Sequence, residues 1–210
     1  MRILLEASTQ LNYNMSLKFH ANSNIMVIGA SQSGKTTTVM RILKEKLITP
    51  MPKKIYYLYA AWQSFMDEWK EIKFVKGLDL SVIEDDSEDK ILIIDDLMLD
   101  IDKDLAHHFI AGSSHKNTTT IFISHAIFVN NDLYRLISAN CQYMLLFHNK
   151  RSYSQVSCLA RQILGSDYKL LIEAYKSLGP YNFVLLSFHA LVPRELLILT
   201  DFWESPTVYL

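Results

Sequence analysis

The sequence predicts an α/β fold in which a mostly parallel central sheet is flanked by helices. Short apolar runs alternate along the chain with segments whose apolar residues recur at helical spacing, which is typical of β-α-β units. A glycine-rich turn joins the first of these runs to a helical segment, and no repeat or Pro/Gly-rich linker interrupts the 210 residues. We therefore expect residues 1–210 to form one domain.

Each element follows from its local pattern of apolar residues. The sequence predicts strands at 24–29, 54–60, 91–96, 118–124 and 143–147. It predicts helices at 35–47, 62–72, 102–111, 131–138, 152–164 and 166–178. Ser152 is suited to cap its helix, and the acidic stretch at 84–90 is predicted to be a solvated loop. The segments 181–188 and 195–203, on either side of Pro193, predict a terminal β-hairpin.

Composition bounds the class of protein. The 21 Lys and Arg residues nearly balance the 22 Asp and Glu residues, so net charge argues neither for nor against nucleic acid. Cys141 and Cys158 have no metal-binding spacing, which indicates two reduced core thiols in an intracellular protein. The N-terminus lacks the pattern of a secretory signal. The longest apolar stretch, 183–192, is too short for a membrane span.

The segment GASQSGKT at 29–36 matches the P-loop pattern G-x-x-x-x-G-K-[ST]. Its glycines let backbone N–H groups converge on phosphate oxygens, and the helix that follows presents its positive N-terminus. We expect Lys35 to reach the β and γ phosphates of ATP and the Thr36 hydroxyl to ligate Mg²⁺. An incidental turn is the alternative, which the strand before it and the helix after it disfavour. The predicted nucleotide-binding residues are Gly29, Ala30, Ser31, Gln32, Ser33, Gly34, Lys35, Thr36 and Thr37.

The sequence ILIIDD at 91–96 predicts a buried strand that ends in two carboxylates. They emerge at the carboxyl edge of the sheet, where ligands of open α/β sheets bind. Asp95 is predicted to hold the Mg²⁺ shell, as a Walker B aspartate does. Asp96 is the candidate general base that polarises the attacking water. Capping of the next helix is the alternative role for this pair.

The strand at 118–124 ends on Ser124 and His125. Placed after the Walker B strand, this pair is expected beside the γ-phosphate, where either side chain could sense phosphate or orient water. A capped strand end with a satisfied histidine is an equal alternative. The strand at 54–60 comes between the P-loop and Walker B strands, which favours the RecA-like P-loop NTPase arrangement, in which an extra strand separates the two.

Taken together, five stretches resemble the FtsK-HerA type genome-packaging ATPases of double-stranded DNA viruses. The similarity is greatest to those of the Polinton/Maverick and adintovirus kind, which are related to the packaging ATPases of large nucleocytoplasmic viruses. The stretches lie within residues 25–164 and read VIGASQSGKTTTV, IYYLYAAWQSFMDEW, ILIIDDLM, AGSSHKNTTTIFISHAIF and FHNKRSYSQVSCLARQIL. The DDLM and LARQI blocks make the resemblance more specific than the P-loop alone.

The resemblance implies a RecA-like, homo-oligomeric ring at a capsid portal or vertex that drives double-stranded DNA with ATP. Such a protein would act in an infected host cell or with the virion. Lys35, Thr36 and Asp95 fall on the nucleotide and magnesium positions, and Asp96 falls on the second acid. His125 falls where relatives usually carry glutamine.

The cation that reaches a neighbouring subunit's nucleotide is left open between Lys116, Arg151 and Arg161. Relatives often carry an arginine where this chain has Lys116, and lysine lacks the planar fork of arginine. Arg161 lies in the LARQI block, which favours it as a catalytic residue, although a helix-surface arginine is an equal alternative. Candidate DNA-contacting cations form no strong basic run, and solvated surface is the alternative for each: Lys53, Lys54, Lys70, Lys73, Lys76, His115 and Lys116.

Two other functions fit the same residues. The first is a cellular DNA-dependent ATPase of the FtsK-HerA or helicase-loader type. The second is a nucleotide-dependent switch or scaffold with little turnover, which the intact Lys35, Asp95 and Asp96 argue against.

Overall fold

A computed structural model describes residues 2–4, 17–84, 88–112 and 116–210 of the chain. Its strands form one large sheet and one small sheet. The strands are β1 (Arg2–Leu4), β2 (Phe19–His20), β3 (Asn24–Ile28), β4 (Ile48–Thr49), β5 (Lys54–Tyr59), β6 (Ile72–Lys76), β7 (Lys90–Asp95), β8 (Thr118–Ser124), β9 (Tyr143–Phe147), β10 (Phe183–Ser187), β11 (Ile198–Thr200) and β12 (Thr207–Tyr209). The large sheet has the order β1-β12-β11-β10-β9-β3-β8-β7-β5-β6, and β2 pairs with β4.

The large sheet is parallel from β9 through β3, β8, β7 and β5 to β6. The other pairs in it are antiparallel. Among them, β10 and β11 form the C-terminal hairpin, with Leu185 opposite Leu199. The predicted α/β class, with its mostly parallel sheet and terminal hairpin, is confirmed.

One strand separates β3, which precedes the P-loop, from β7, which ends on Asp95. The sequence predicted such a strand but gave that place to 54–60. In the structure the separating strand is β8, which pairs with both β3 and β7, and β5 lies beyond β7. Because parallel strands are joined by crossovers, order along the chain does not determine order in the sheet.

The helices are α1 (Lys35–Lys44), α2 (Lys103–His107), α3 (Asp132–Ala139), α4 (Tyr153–Leu164) and α5 (Lys169–Lys176). A π-helical turn at His108–Gly112 continues α2, and short 3-10 helices lie at Ser64–Glu68, Leu80–Ile83, Met98–Asp100, Gly165–Asp167 and Arg194–Leu196. Asn131 caps α3 by accepting hydrogen bonds from the backbone N–H groups of Leu133 and Tyr134. Ser152 occupies the N-cap position of α4 without a side-chain capping bond.

Helices cover the sheet on both faces. On one face α1 packs Val39 and Ile42 into a core with the inward side chains of the strands. On the other face α3, α4 and α5 contribute Ile137, Val156 and Leu171 to a second core. Since successive strand residues alternate between two buried faces, the central strands read as continuous apolar runs in the sequence.

The prediction of a helix over 62–72 is wrong. A 3-10 helix at Ser64–Glu68 is followed by β6, which pairs with β5 and places Ile72 beside Ile55. Met66 and Ile72 are buried, so the apolar residues do face the core. A 3-10 turn followed by a strand buries these residues equally well, so the short periodic pattern did not specify an α-helix.

Two smaller expectations have separate outcomes. Cys141 is buried as predicted, but Cys158 is exposed on α4 and is not a core thiol. Of the solvated loop predicted for 84–90, residues 85–87 lie outside the described residues, and Lys90 is not solvated but buried as the first residue of β7. No helix in the described part of the chain is long and apolar enough to cross a membrane.

Candidate functional site

The predicted site residues meet at the carboxyl ends of three adjacent strands. In the sheet register Ile28 of β3 lies opposite Ser124 of β8, and Asp95 of β7 lies opposite Ile123. The P-loop, His125 and Asp96 therefore leave the sheet side by side. This convergence is the arrangement expected for a ligand site of a parallel α/β sheet.

The P-loop depends on glycine at two positions. Gly34 has φ +94°, a left-handed conformation that glycine adopts without strain, and it leads into α1. A Cβ on Gly29 would stand 2.6 Å from the Cβ of Phe147 and 2.6 Å from the Ser33 Oγ, so a side chain there would collide. The Ser33 Oγ is buried and has no hydrogen-bond partner within the described residues. A phosphate oxygen in the loop would supply one.

Lys35 reaches back across the loop at the start of α1. Lys35 is only 6% exposed to solvent. Its Nζ donates 2.8 Å hydrogen bonds to the carbonyl oxygens of Gly29 and Ala30. Burial lowers the pKa of Lys35, and the carboxylates of Asp95 and Asp96 oppose that lowering. The ammonium group thus lies at the loop, within the field of both acids.

Asp95 is fixed by a residue that sequence patterns did not single out. The Tyr57 hydroxyl on β5 donates a 2.6 Å hydrogen bond to Oδ2 of Asp95. Thr36 opposes the rise in the pKa of Tyr57 that burial causes, so both predicted magnesium ligands lie next to this tyrosine. Burial raises the pKa of Asp95, and the bond from Tyr57 opposes that rise. The oxygen atoms of Thr36 and Asp95 are donors of the kind that Mg²⁺ prefers.

Asp96 turns away from the buried strand. Its φ of +60° is in the left-handed region, which aspartate tolerates better than most residues, and its side chain is exposed. Its Oδ1 is hydrogen-bonded to Nε2 of His125. The other ring nitrogen of His125, Nδ1, lies 3.3 Å from the Lys35 Nζ. His125 therefore joins the P-loop lysine to the second acid.

Ser124 and His125, expected together, diverge in the structure. Ser124 is fully buried, and its Oγ lies 2.9 Å from the Tyr134 hydroxyl and 3.1 Å from the Ala126 carbonyl oxygen. Its hydroxyl anchors the turn after β8 to α3. Of the two residues, the structure brings only His125 to Lys35 and Asp96.

The three candidate finger residues lie at separate places. Lys116 precedes β8 at the amino edge of the sheet, which is the edge opposite the P-loop. Arg151 is exposed in the turn between β9 and α4, at the P-loop edge. Arg161 is exposed on α4, where it donates to the Ser157 Oγ at 2.7 Å and lies over the Tyr168 ring. None of these positions lies within the P-loop of its own chain.

The candidate DNA-contacting cations are mainly at the outer edge of the sheet. Lys73 and Lys76 are exposed on the edge strand β6, and Lys54 on β5 pairs with Glu88 at 3.0 Å. Exposed lysines also protect an edge strand from pairing with another chain. His115 lies outside the described residues.

The fold of this chain is similar to that of solved NTPase structures. B204, the DNA-packaging ATPase from Sulfolobus turreted icosahedral virus, matches with a TM-score of 0.56 and 12% identity over 80% of this chain and 93% of that chain. B204 from Sulfolobus turreted icosahedral virus 2, solved with ATP-gammaS, matches at 0.52 with 14% identity, 80% of this chain and 93% of that chain. The chain has the P-loop NTPase fold.

This P-loop NTPase fold is shared beyond packaging proteins. EccC of Thermomonospora curvata, ATPases 2 and 3, matches with a TM-score of 0.52 and 12% identity over 89% of this chain and 37% of that chain. No protein-family model and no curated protein matches the sequence. The structural similarities confirm, at the level of fold, the resemblance to FtsK-HerA type ATPases that was inferred from the motifs.

Proposed function

We propose that this P-loop NTPase hydrolyses ATP with Mg²⁺ and uses the energy to translocate double-stranded DNA into a viral capsid. One observation carries the proposal. Lys35, His125 and Asp96 form a connected chain of polar contacts beside the Asp95, Tyr57 and Thr36 group. A lysine for phosphate, two oxygen ligands for magnesium and an exposed carboxylate for water are the parts that ATP hydrolysis requires.

Each side chain has a role that its surroundings support. The N–H groups of residues 29–37 and the Lys35 ammonium would bind the β and γ phosphates, with Lys35 exchanging its two carbonyl partners for phosphate oxygens. Thr36 and Asp95 would hold Mg²⁺, which when bound neutralises charge on the phosphates. Asp96 would accept a proton from the attacking water, and His125 would position both Asp96 and the Lys35 ammonium that contacts the γ-phosphate.

The motor part of the proposal rests on the family resemblance and on the packaging ATPases that share the fold. It implies double-stranded DNA as track, a homo-oligomeric ring, and a capsid or portal-vertex protein as the docking partner. It also implies a location in an infected host cell or with the virion. The residue that reaches the neighbour's ATP is one of Lys116, Arg151 and Arg161.

The direct test is ATP hydrolysis by the purified protein with and without duplex DNA. We expect turnover that duplex DNA stimulates, and we expect Lys35→Ala to lose it because the developing charge on the γ-phosphate has no cation. Hydrolysis without any response to duplex DNA would contradict the motor while retaining the ATPase. ATP binding without hydrolysis in either condition would contradict both the motor and the ATPase, and it would favour the nucleotide-dependent switch.

Tyr57→Phe is expected to raise the Mg²⁺ concentration that gives half-maximal hydrolysis by about 10- to 100-fold. Partners that orient a metal ligand typically contribute that much to affinity, and the phenylalanine fills the same space without the bond to Asp95. The measurement is a Mg²⁺ titration at saturating ATP. Tyr56→Phe is the matched control, because Tyr56 is the preceding residue of the same strand and its ring contacts Lys73 instead of Asp95. Identical Mg²⁺ curves for the two variants would contradict the role of Tyr57.

A further inference from the structure

A cavity of about 590 Å³ opens beside the P-loop, on the opposite side from the two acids. Gln32 and Gly34 of the loop line one end of it. Its far wall comes from the segments that precede β10 and follow β11, whereas Asp95 and Asp96 lie at the end of β7. None of the roles assigned above uses this space.

The first two turns of α1 form the floor of the cavity. Gly34, Thr37, Thr38 and Arg41 all line it, and their spacing puts them on one face of the helix. At a rise of 1.5 Å per residue this face is about 10 Å long from Gly34 to Arg41. A nucleotide whose phosphates lie in the loop has a sugar and a base to accommodate over a distance of this order. The cavity extends along the helix in that direction.

Two aromatic side chains stand at the wall. Trp203 is half-buried. Its ring packs edge-to-face with that of Phe202, with centroids 4.9 Å apart, and the Arg41 guanidinium lies over it, 4.0 Å from the ring centroid. Tyr181 is 71% exposed, and its ring lies 3.5 Å from where a Cβ on Gly34 would stand. Its backbone has φ +62°, an uncommon conformation for tyrosine. An exposed aromatic held at the edge of a phosphate loop offers a stacking surface.

The polar groups of the cavity favour a base that donates hydrogen bonds. Asp201 and Glu204 supply carboxylate oxygens, and Asn182 supplies an amide. Asp201 accepts hydrogen bonds from the Thr200 and Thr207 hydroxyls at 3.1 and 3.5 Å, which fix its carboxylate. Carboxylates accept from an exocyclic amino group and repel a second phosphate. The cation in the lining, Arg41, is paired with Glu45 and lies over the Trp203 ring. The cavity is thus suited to the base end of a mononucleotide.

We propose that this cavity is the nucleobase subsite, in which a purine ring bearing an amino group stacks on the exposed Tyr181 ring and packs against Trp203 at the wall. The inference rests on the proposed function, since it takes the phosphates to lie in the P-loop. It assigns Tyr181 and Trp203 as the residues that distinguish a nucleoside triphosphate from bare polyphosphate.

The test compares equilibrium binding of ATP-gammaS with that of inorganic tripolyphosphate, which has no base. Stacking on an aromatic side chain is worth enough per base that Tyr181→Asn and Trp203→Ala should each weaken ATP-gammaS binding about tenfold or more. Tripolyphosphate binding should not change. Asparagine tolerates the positive φ at 181, so loss of the ring there does not strain the backbone. Trp203→Phe, which keeps a ring and its packing on Phe202, should bind nearly as the parent does.

Tryptophan fluorescence gives a second readout. ATP-gammaS should quench the emission, and the quenching should disappear in Trp203→Phe but persist in the control Trp62→Phe, an exposed tryptophan after β5. Unchanged ATP-gammaS affinity in both Tyr181→Asn and Trp203→Ala would overturn the subsite, as would tripolyphosphate binding as tightly as ATP-gammaS. Both measurements are made without turnover. A protein that binds through Tyr181 and Trp203 but does not hydrolyse ATP would retain the subsite and lose the proposed function.

Discussion

Asp96→Asn is expected to reduce ATP hydrolysis by about 10²- to 10⁴-fold while ATP still binds. Asp96 is exposed at the P-loop edge, and because its Oδ1 is bonded to His125, its Oδ2 is the oxygen available to a water molecule. An amide of the same shape cannot accept a proton from that water. The measurement is single-turnover hydrolysis with the affinity for ATP-gammaS determined in parallel.

The substitution to asparagine also preserves the backbone conformation at this position. Asp96 has φ +60°, and asparagine tolerates that conformation as aspartate does, so the turn after β7 is retained. Asp100→Asn is a matched control, because Asp100 is an exposed acid four residues further along. Hydrolysis within a few-fold of the parent in Asp96→Asn would contradict the role of general base. Loss of ATP-gammaS binding would instead place Asp96 among the binding residues.

The parts of the site that sequence patterns predicted are local in the chain. The P-loop sets its own conformation within residues 29–36, since glycine spacing and the start of α1 are enough to define it. Asp95 and Asp96 were located because an apolar run must end where the sheet ends. These signals need no knowledge of which strands are neighbours.

The parts that were missed depend on neighbours distant in sequence. Tyr57 lies 38 residues from Asp95, and inside an apolar strand its hydroxyl gives no signal of its own. The wall of the cavity combines Arg41 with Trp203, which only the folded sheet brings together. The helix predicted over 62–72 was wrong because residues 64–68 form a 3-10 helix and Ile72 begins β6, which pairs with the distant strand β5.

His125→Gln is expected to retain hydrolysis within about an order of magnitude, whereas His125→Ala is expected to lose about 10²- to 10³-fold, as loss of a preorganised polar group does. The reason is the pair of contacts that the imidazole makes. A carboxylate only accepts, so Nε2 donates to Asp96, and Nδ1 is then free to accept from the Lys35 ammonium. A glutamine amide has one donating and one accepting group and can serve both partners. Alanine has neither.

The comparison of the three proteins distinguishes a histidine that positions Lys35 and Asp96 at the γ-phosphate from one that only caps the strand. Each variant should fold, because His125 is partly exposed and Ser124, the residue that ties β8 to α3, is unchanged. Thermal unfolding and ATP-gammaS affinity should therefore be nearly equal in all three, with the difference confined to the hydrolysis step. Equal hydrolysis by the parent, His125→Gln and His125→Ala would mean that the histidine only closes the strand. A loss in His125→Ala that His125→Gln restores requires a side chain that contacts Lys35 and Asp96 together.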